Sequence, residues 1–309
     1  MWFAVSVALV AACPAAMEPG PAAPVEPARL DDPPPVKLDD RLVDFAFDGG
    51  QLEFELIRDG GRIQQLVRNR YAVEVTVHWT ITALDNLEAV SALDGTTVLP
   101  AAREPLGAGE PIAIAELARI DPSQRYRREL YFQARFGDPQ ARPLRYLYAL
   151  PYRRGTFGVL QGFHGAFSHH GSNEFAVDFD CPVATPVVAA RPGVVVAVNA
   201  GAQGAGISPE FLDDRRANFV LVRHGDGTLG EYMHLAPSGI EVRPGQVVRR
   251  GQELGLSGNT GFSSTPHLHF QVMTADDDGV AKRSFPFDFA ITPGQASQPV
   301  QGHRYKAWE

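Results

Sequence analysis

The stretch Pro266-His267-Leu268-His269-Phe270-Gln271-Val272 decides how this chain is read. On an extended strand alternate side chains share a face. His267 and His269 therefore point one way, while Leu268, Phe270 and Val272 point into a core. Two imidazoles side by side on a strand are costly unless they do something, and a strand-borne H-x-H can offer two nitrogens to one zinc ion. Taken alone, the pattern leaves an exposed histidine pair equally open.

Upstream, Phe175-Ala176-Val177-Asp178-Phe179-Asp180 repeats the alternation, with Phe175, Val177 and Phe179 inward and Asp178 and Asp180 on the other face. A carboxylate there, close in sequence to His169 and His170, can complete a His/His/Asp set. Catalytic zinc usually takes three protein ligands and keeps a fourth position for water. By themselves these acids fit a solvated strand face as well. Glu231-Tyr232-Met233-His234-Leu235 adds a histidine at a strand end, and seven of the nine histidines fall between His164 and His269. Short apolar strands with Gly-rich turns run through the same region, at Val187–Ala190, Val194–Val198 and Phe219–Val222, and Ser208–Arg216 reads as a polar insertion.

The ordered set AVDF, ATPVVAARPGVV, NFVLVRHGDGT, YMHL, VRPGQVVRRGQELGLSGNTG and PHLHFQV resembles the LytM domain of lysostaphin-type zinc endopeptidases over about residues 158–275. The resemblance implies one zinc per chain, held by a His and an Asp of a first motif and by the second His of H-x-H. Carried over, Asp178 and His269 become ligands, with His267 and His234 assisting catalysis. The connection before Asp178 is longer than the common family spacing. His169, in GAFSHHGS, fits the "SH" form of a branch with a longer connection and is taken as the first ligand, ahead of His170 and then His164. Asp180 is the alternative to Asp178. Ala184 and Gln271 depart from the family pattern, at positions that touch no proposed ligand.

The resemblance further implies a zinc-dependent endopeptidase acting on peptidoglycan crosslinks or another extended peptide. The alternative is a non-catalytic zinc- or peptidoglycan-binding module that regulates a partner hydrolase. A biotinyl- or lipoyl-type carrier is a third reading of VRPGQVVRRGQELG, but the stretch Leu256–Gly261 lacks the lysine such a domain needs. No H-E-x-x-H is present, so no helix-borne glutamate can act as base.

Ahead of this region the pattern has period two. Tyr71, Val73, Val75, Val77, Trp79 and Ile81 alternate with polar or small residues, and Leu52–Leu56, Leu130–Phe136 and Leu144–Leu150 read as further strands separated by Gly-rich turns. His78 lies on a polar face and reads as a surface residue. The expected fold is all-β: an antiparallel β-sandwich over 41–150, with an immunoglobulin-like arrangement as one option, then a LytM-type antiparallel sheet with a groove over 151–290 and a loose tail over 291–309.

Residues 2–12, WFAVSVALVAA, have the length of a signal-peptide apolar run and are too short to span a bilayer comfortably. Val10-Ala11-Ala12-Cys13 resembles a bacterial lipobox, so a leader over 1–13 with membrane attachment through a lipidated Cys13 is expected, followed by a Pro-rich tether over 14–40. Export to a bacterial cell envelope or periplasm follows. Cys181, with no partner if Cys13 is lipidated, reads as a small buried thiol rather than a fourth ligand. With 28 basic against 36 acidic residues and a net charge of −8, no basic run suggests nucleic acid as a partner. The 309 residues, 44% of them hydrophobic, suffice for two modest domains.

Overall fold

The computed structural model describes residues 3–5, 40–47, 51–102, 109–292 and 294–307. The Cys13 lipobox and the tether up to residue 39 lie outside the described residues. Among those described, no α-helix occurs; the only helical pieces are three 3-10 turns at Gly171–Asn173, Pro209–Leu212 and Asp214–Arg216. The chain is all-β.

The N-terminal half forms two antiparallel sheets. One has five strands in the order Asp40–Phe47, Leu52–Asp59, Arg62–Asn69, Ile112–Arg119 and Leu87–Ala89. The other has four, in the order Phe3–Val5, Arg127–Phe136, Val75–Asp85 and Asp94–Leu99. The two sheets pack on each other through residues such as Phe54 and Phe132, whose rings lie 4.3 Å apart. Leu144–Leu150 yields a strand only at Leu147–Tyr148, because the flanking Pro143 and Pro151 cannot donate to a ladder.

The second half is built on a nine-stranded sheet. Its central rows are Gly193–Asn199, Phe219–Arg223, Leu229–Met233, Leu268–Ala275 and Val177–Phe179, each antiparallel to its neighbour. Thr156–Gln161 follows Val177–Phe179. The far edge is Arg304–Lys306, inside the segment expected to be a loose tail. A single anchor makes the difference: Tyr305 is buried, and its hydroxyl accepts from the Val300 N–H and donates to the Gln298 carbonyl. Composition averaged over a Gln/Pro/Gly-containing stretch hides one such residue.

The central sheet is apolar on both faces. Val195, Val220, Val222, Tyr232, Phe270 and Val272 join one core, which includes Tyr148, Phe287 and Phe289. Phe219, Leu221, Met233 and Met273 point the other way and join Trp79, Phe132 and Phe136 of the N-terminal sheets in a second core. The two halves thus share buried surface. Arg223 clamps the junction, pairing with Glu74 through two hydrogen bonds of 2.9 and 2.7 Å.

This shared core makes the halves one cooperative unit. Leu221→Ala should cost about 2–5 kcal/mol, and amide exchange should accelerate in Val75–Asp85 as well as in Phe219–Arg223. Acceleration confined to the strand that carries the substitution would refute the coupling.

Candidate metal centre and groove

Register brings the predicted residues together. Met233, His269 and Asp178 are partners across three adjacent strands, so His269 and Asp178 form one row. His269 Nδ1 lies 2.9 Å from Asp178 Oδ1. His169 enters from the loop ahead, with its Nε2 3.1 Å from Asp178 Oδ2. The ligand-type atoms of His169, Asp178 and His269 all lie within 4.8 Å of one another, and all three residues are buried. Among the described residues they are the one such group. His170 is exposed and outside the cluster; His164 is exposed beside Glu174, and Asp180 is exposed on the rim of its strand.

The donor set fits a cation. The His169 Nδ1–H donates to the Gly162 carbonyl at 2.9 Å, because a carbonyl can only accept. Its Nε2 is buried, faces a carboxylate oxygen and has no hydrogen-bond partner. His269 Nε2 is also buried and unpartnered. Two imidazoles and a carboxylate gathered in a buried pocket are the donor types that a divalent cation takes. Burial raises the cost of charge on Asp178, but the adjoining His169 and His269 imidazoles outweigh that and hold its carboxyl well below the usual carboxylate range. Burial pushes the His269 pKa down, against the pull of Asp178, which favours the neutral form a metal requires.

His234 and His267 stand beside the cluster. Their rings are 4.5 Å apart, and the His234 ring is 5.8 Å from that of His269. Alternation along Leu229–Met233 would aim residue 234 into the opposite core with Tyr232. Instead His234 has φ +63°, a left-handed conformation that L-residues adopt at a cost, and this turns its ring onto the metal-facing side. Its Nδ1–H donates to the Thr260 carbonyl at 2.7 Å. Burial, with His267 and His269 adding to it, pushes its pKa down to about 3. His267 Nδ1–H donates to the Thr265 carbonyl at 2.7 Å, and its Nε2 lies 3.7 Å from Asp178 Oδ1. Both rings are thus anchored through Nδ1 to backbone carbonyls, which turns each Nε2 away from these anchors.

Two cavities adjoin the cluster, of about 400 and 490 Å³, and Phe167, Ser168, His234, Phe262 and His269 line both. Together they form a groove past the metal-facing side. Phe167 and Phe262 stack at its rim, with centroids 5.9 Å apart and planes 15° from parallel.

Sequence reasoning missed two supports. Gln161 is the register partner of Asp178, beside an irregularity in the pairing. Its Nε2 donates to Asp178 Oδ2 at 3.1 Å and to Ser168 Oγ at 2.8 Å, and its Oε1 accepts from the Phe167 and Ser168 N–H groups. One carboxamide thus ties the carboxylate to the loop that delivers His169. Gly165 leaves room for it, since a Cβ there would meet Gln161 Cγ at 2.1 Å. The second support is Glu231, buried one strand from His269, which accepts from Gln271 Nε2 and, at 3.0 Å, from Lys282 Nζ. The only sequence signal for either is a polar residue among apolar strand neighbours.

A buried His/Asp/His cluster on an antiparallel sheet, with two further histidines on a groove, has the ligand types of a candidate single-metal site. Residues 172–281 match the model of Peptidase family M23, and the chain carries a domain of that family there. His169 lies just ahead of the matched span. The chain is 41% identical over 96 residues to the peptidoglycan DD-endopeptidase ShyA of Vibrio cholerae, covering 31% of this chain and 19% of that protein. It is 36% identical over 120 residues to the glycyl-glycine endopeptidase ALE-1 of Staphylococcus capitis, covering 38% and 30% respectively. The chain thus spans less than a third of either relative. The catalytic domain of lysostaphin from Staphylococcus simulans aligns at 28% identity with a TM-score of 0.29, over 48% of this chain and 89% of that one.

Gln161→Leu should weaken metal binding roughly 10–100-fold, the usual cost of losing a group that orients a ligand. Competition against a chromophoric chelator measures it, and unchanged affinity would remove Gln161 from the site. Lys282→Met should destabilise the fold by about 3–5 kcal/mol by leaving Glu231 buried and unpaired. Most of that loss should return in Lys282→Met/Glu231→Gln; urea denaturation would show a failure to return.

Proposed function

We propose that this chain is a zinc-dependent metalloendopeptidase that hydrolyses peptide bonds, with peptidoglycan crosslinks as its substrate. The observation that carries this reading is the buried His169–Asp178–His269 cluster, whose ligand-type atoms lie within 4.8 Å of one another, set on a groove beside His234 and His267. In this reading those three residues are the zinc ligands. Zinc, when bound, polarises the scissile carbonyl and makes the attacking water acidic. His234 and His267 do the proton work.

Each of these two rings is held through Nδ1 by a backbone carbonyl, so each offers Nε2 as a proton acceptor without losing its orientation. One takes the proton from the attacking water. That proton passes to the other ring, which then steadies the tetrahedral oxyanion and delivers it to the leaving amine. Burial favours proton return, because an imidazolium in this surround is costly. The groove suits an extended, flexible peptide, and the relatives named as endopeptidases support a wall peptide over a folded protein. Export, with attachment through a lipidated Cys13, belongs to the same reading and rests on the leader-like sequence.

The test is mass spectrometry of fragments released from purified peptidoglycan by the full chain, with and without a zinc chelator. Chelator-sensitive release of peptide fragments is expected. His267→Ala should still hold one zinc per chain while its turnover falls by about 100-fold or more. Turnover retained in that variant would sink the role given to His267. No release from zinc-loaded wild-type protein would favour a regulatory module instead.

A further inference from the structure

The net charge of −8 and the absence of any long basic run argue against a cationic surface. Folding nevertheless builds one. Three basic pairs far apart in sequence, Arg153-Arg154, Arg249-Arg250 and Arg304 with Lys306, come from the loop before Thr156–Gln161, the turn before Glu253–Ser257 and the edge strand Arg304–Lys306. Arg153, Arg154, Arg250 and Lys306 line a single cleft of about 790 Å³. No carboxylate lines it, and it shares no residue with the two cavities at the metal cluster.

Among the described residues, three of the four cations have no acid partner. Arg153 donates to the Gly251 carbonyl at 2.5 Å and lies 3.7 Å from Glu253, outside the lining. Among the described residues, no acid pairs with Arg154, Arg250 or Lys306, and all three side chains are exposed. Like charges gathered without counter-ions repel, and an exposed chain has ample freedom to spread them. Here the backbone does the opposite: Arg154 is held at φ +58°, a left-handed conformation unfavourable for arginine, and Gly155 follows at φ +106°. The rest of the wall is apolar, including Leu150 and Val188.

We propose that this cleft binds an anion bearing at least two phosphate charges, at a site separate from the metal centre. Arginine forks match phosphate oxygens two at a time, and the lysine adds a point charge. The volume falls in the range of small-molecule sites and exceeds what one phosphate fills. The apolar wall then receives the carbon portion of the ligand. A soluble phosphate ester and a phosphate-bearing lipid headgroup present the same chemistry to it.

The probes are inorganic pyrophosphate, by calorimetry on the full chain at low salt, and vesicles of phosphatidylglycerol, by co-sedimentation. One pyrophosphate should bind per chain, and Arg154→Ala/Arg250→Ala should weaken it about tenfold or more. Arg125→Ala, which removes an exposed arginine outside the cleft, should leave binding unchanged. Pyrophosphate binding without vesicle binding supports the cleft and identifies a soluble ligand. Binding of both, each lost in the double variant, supports it and identifies a headgroup. The proposal is overturned if pyrophosphate fails to bind at one per chain, or if Arg125→Ala weakens binding as much as the double variant. None of these readouts depends on hydrolysis, so they stand or fall apart from the peptidase reading.

Discussion

The constraint on which everything else rests is that Leu268–Ala275 is buried along its whole length on both faces. Leu268, Phe270 and Val272 go into one core, so their alternates must go to the other side. Along that side the strand carries His269, then Gln271, then Met273, with His267 just ahead. His269 belongs to the His169–Asp178–His269 cluster with His267 beside it, Gln271 joins the buried Glu231–Lys282 network, and Met273 enters the core shared with the N-terminal sheets. A single face thus grades from chemistry through a polar network to packing within a few residues. A slip of one residue in register would turn the imidazoles into the apolar core and Phe270 toward the polar cluster. No partial version of this strand is tolerable, and that is what makes the site rigid.

The N-terminal sheets gain a definite meaning from this arrangement. They cover the far end of the metal-bearing face and leave its near end open as the groove. The hairpin that follows Leu268–Ala275 docks on them as well: Arg135 donates to the Val280 carbonyl, and Thr96 donates to the carbonyl of Asp278 at 3.4 Å. The strand bearing the histidine pair is therefore braced from beyond its own sheet.

Much of this was legible in the sequence, because side-chain alternation has period two and reports faces directly. It grouped His267 with His269 and Asp178 with Asp180, and the LytM resemblance then drew Asp178 to the site. The unbroken apolar run Phe219-Val220-Leu221-Val222 carried a further message, since a strand apolar on both faces is covered on both faces. What stayed hidden depends on departures from regularity. Gln161 acts through an irregular pairing next to Val159. His234 reaches the site only because φ +63° breaks the alternation that would aim it elsewhere. Tyr305 anchors a tail whose average composition argues for disorder. The basic cleft gathers residues from three segments far apart in the sequence, which no local window can see.

Asp178 and His269 touch although 91 residues separate them along the chain. Their contact needs Leu268–Ala275 to be inserted between Leu229–Met233 and Val177–Phe179, strands that are made much earlier. Long-range pairing of this kind forms late, after the cost of closing the loop is met. A chain growing or threading from its N-terminus can fold its first sheets while the half-built second sheet holds a carboxylate and a loop histidine but no second imidazole. The order of synthesis thus acts as a timer: the His169–Asp178–His269 cluster comes together only after the strands on either side of its last member have been made.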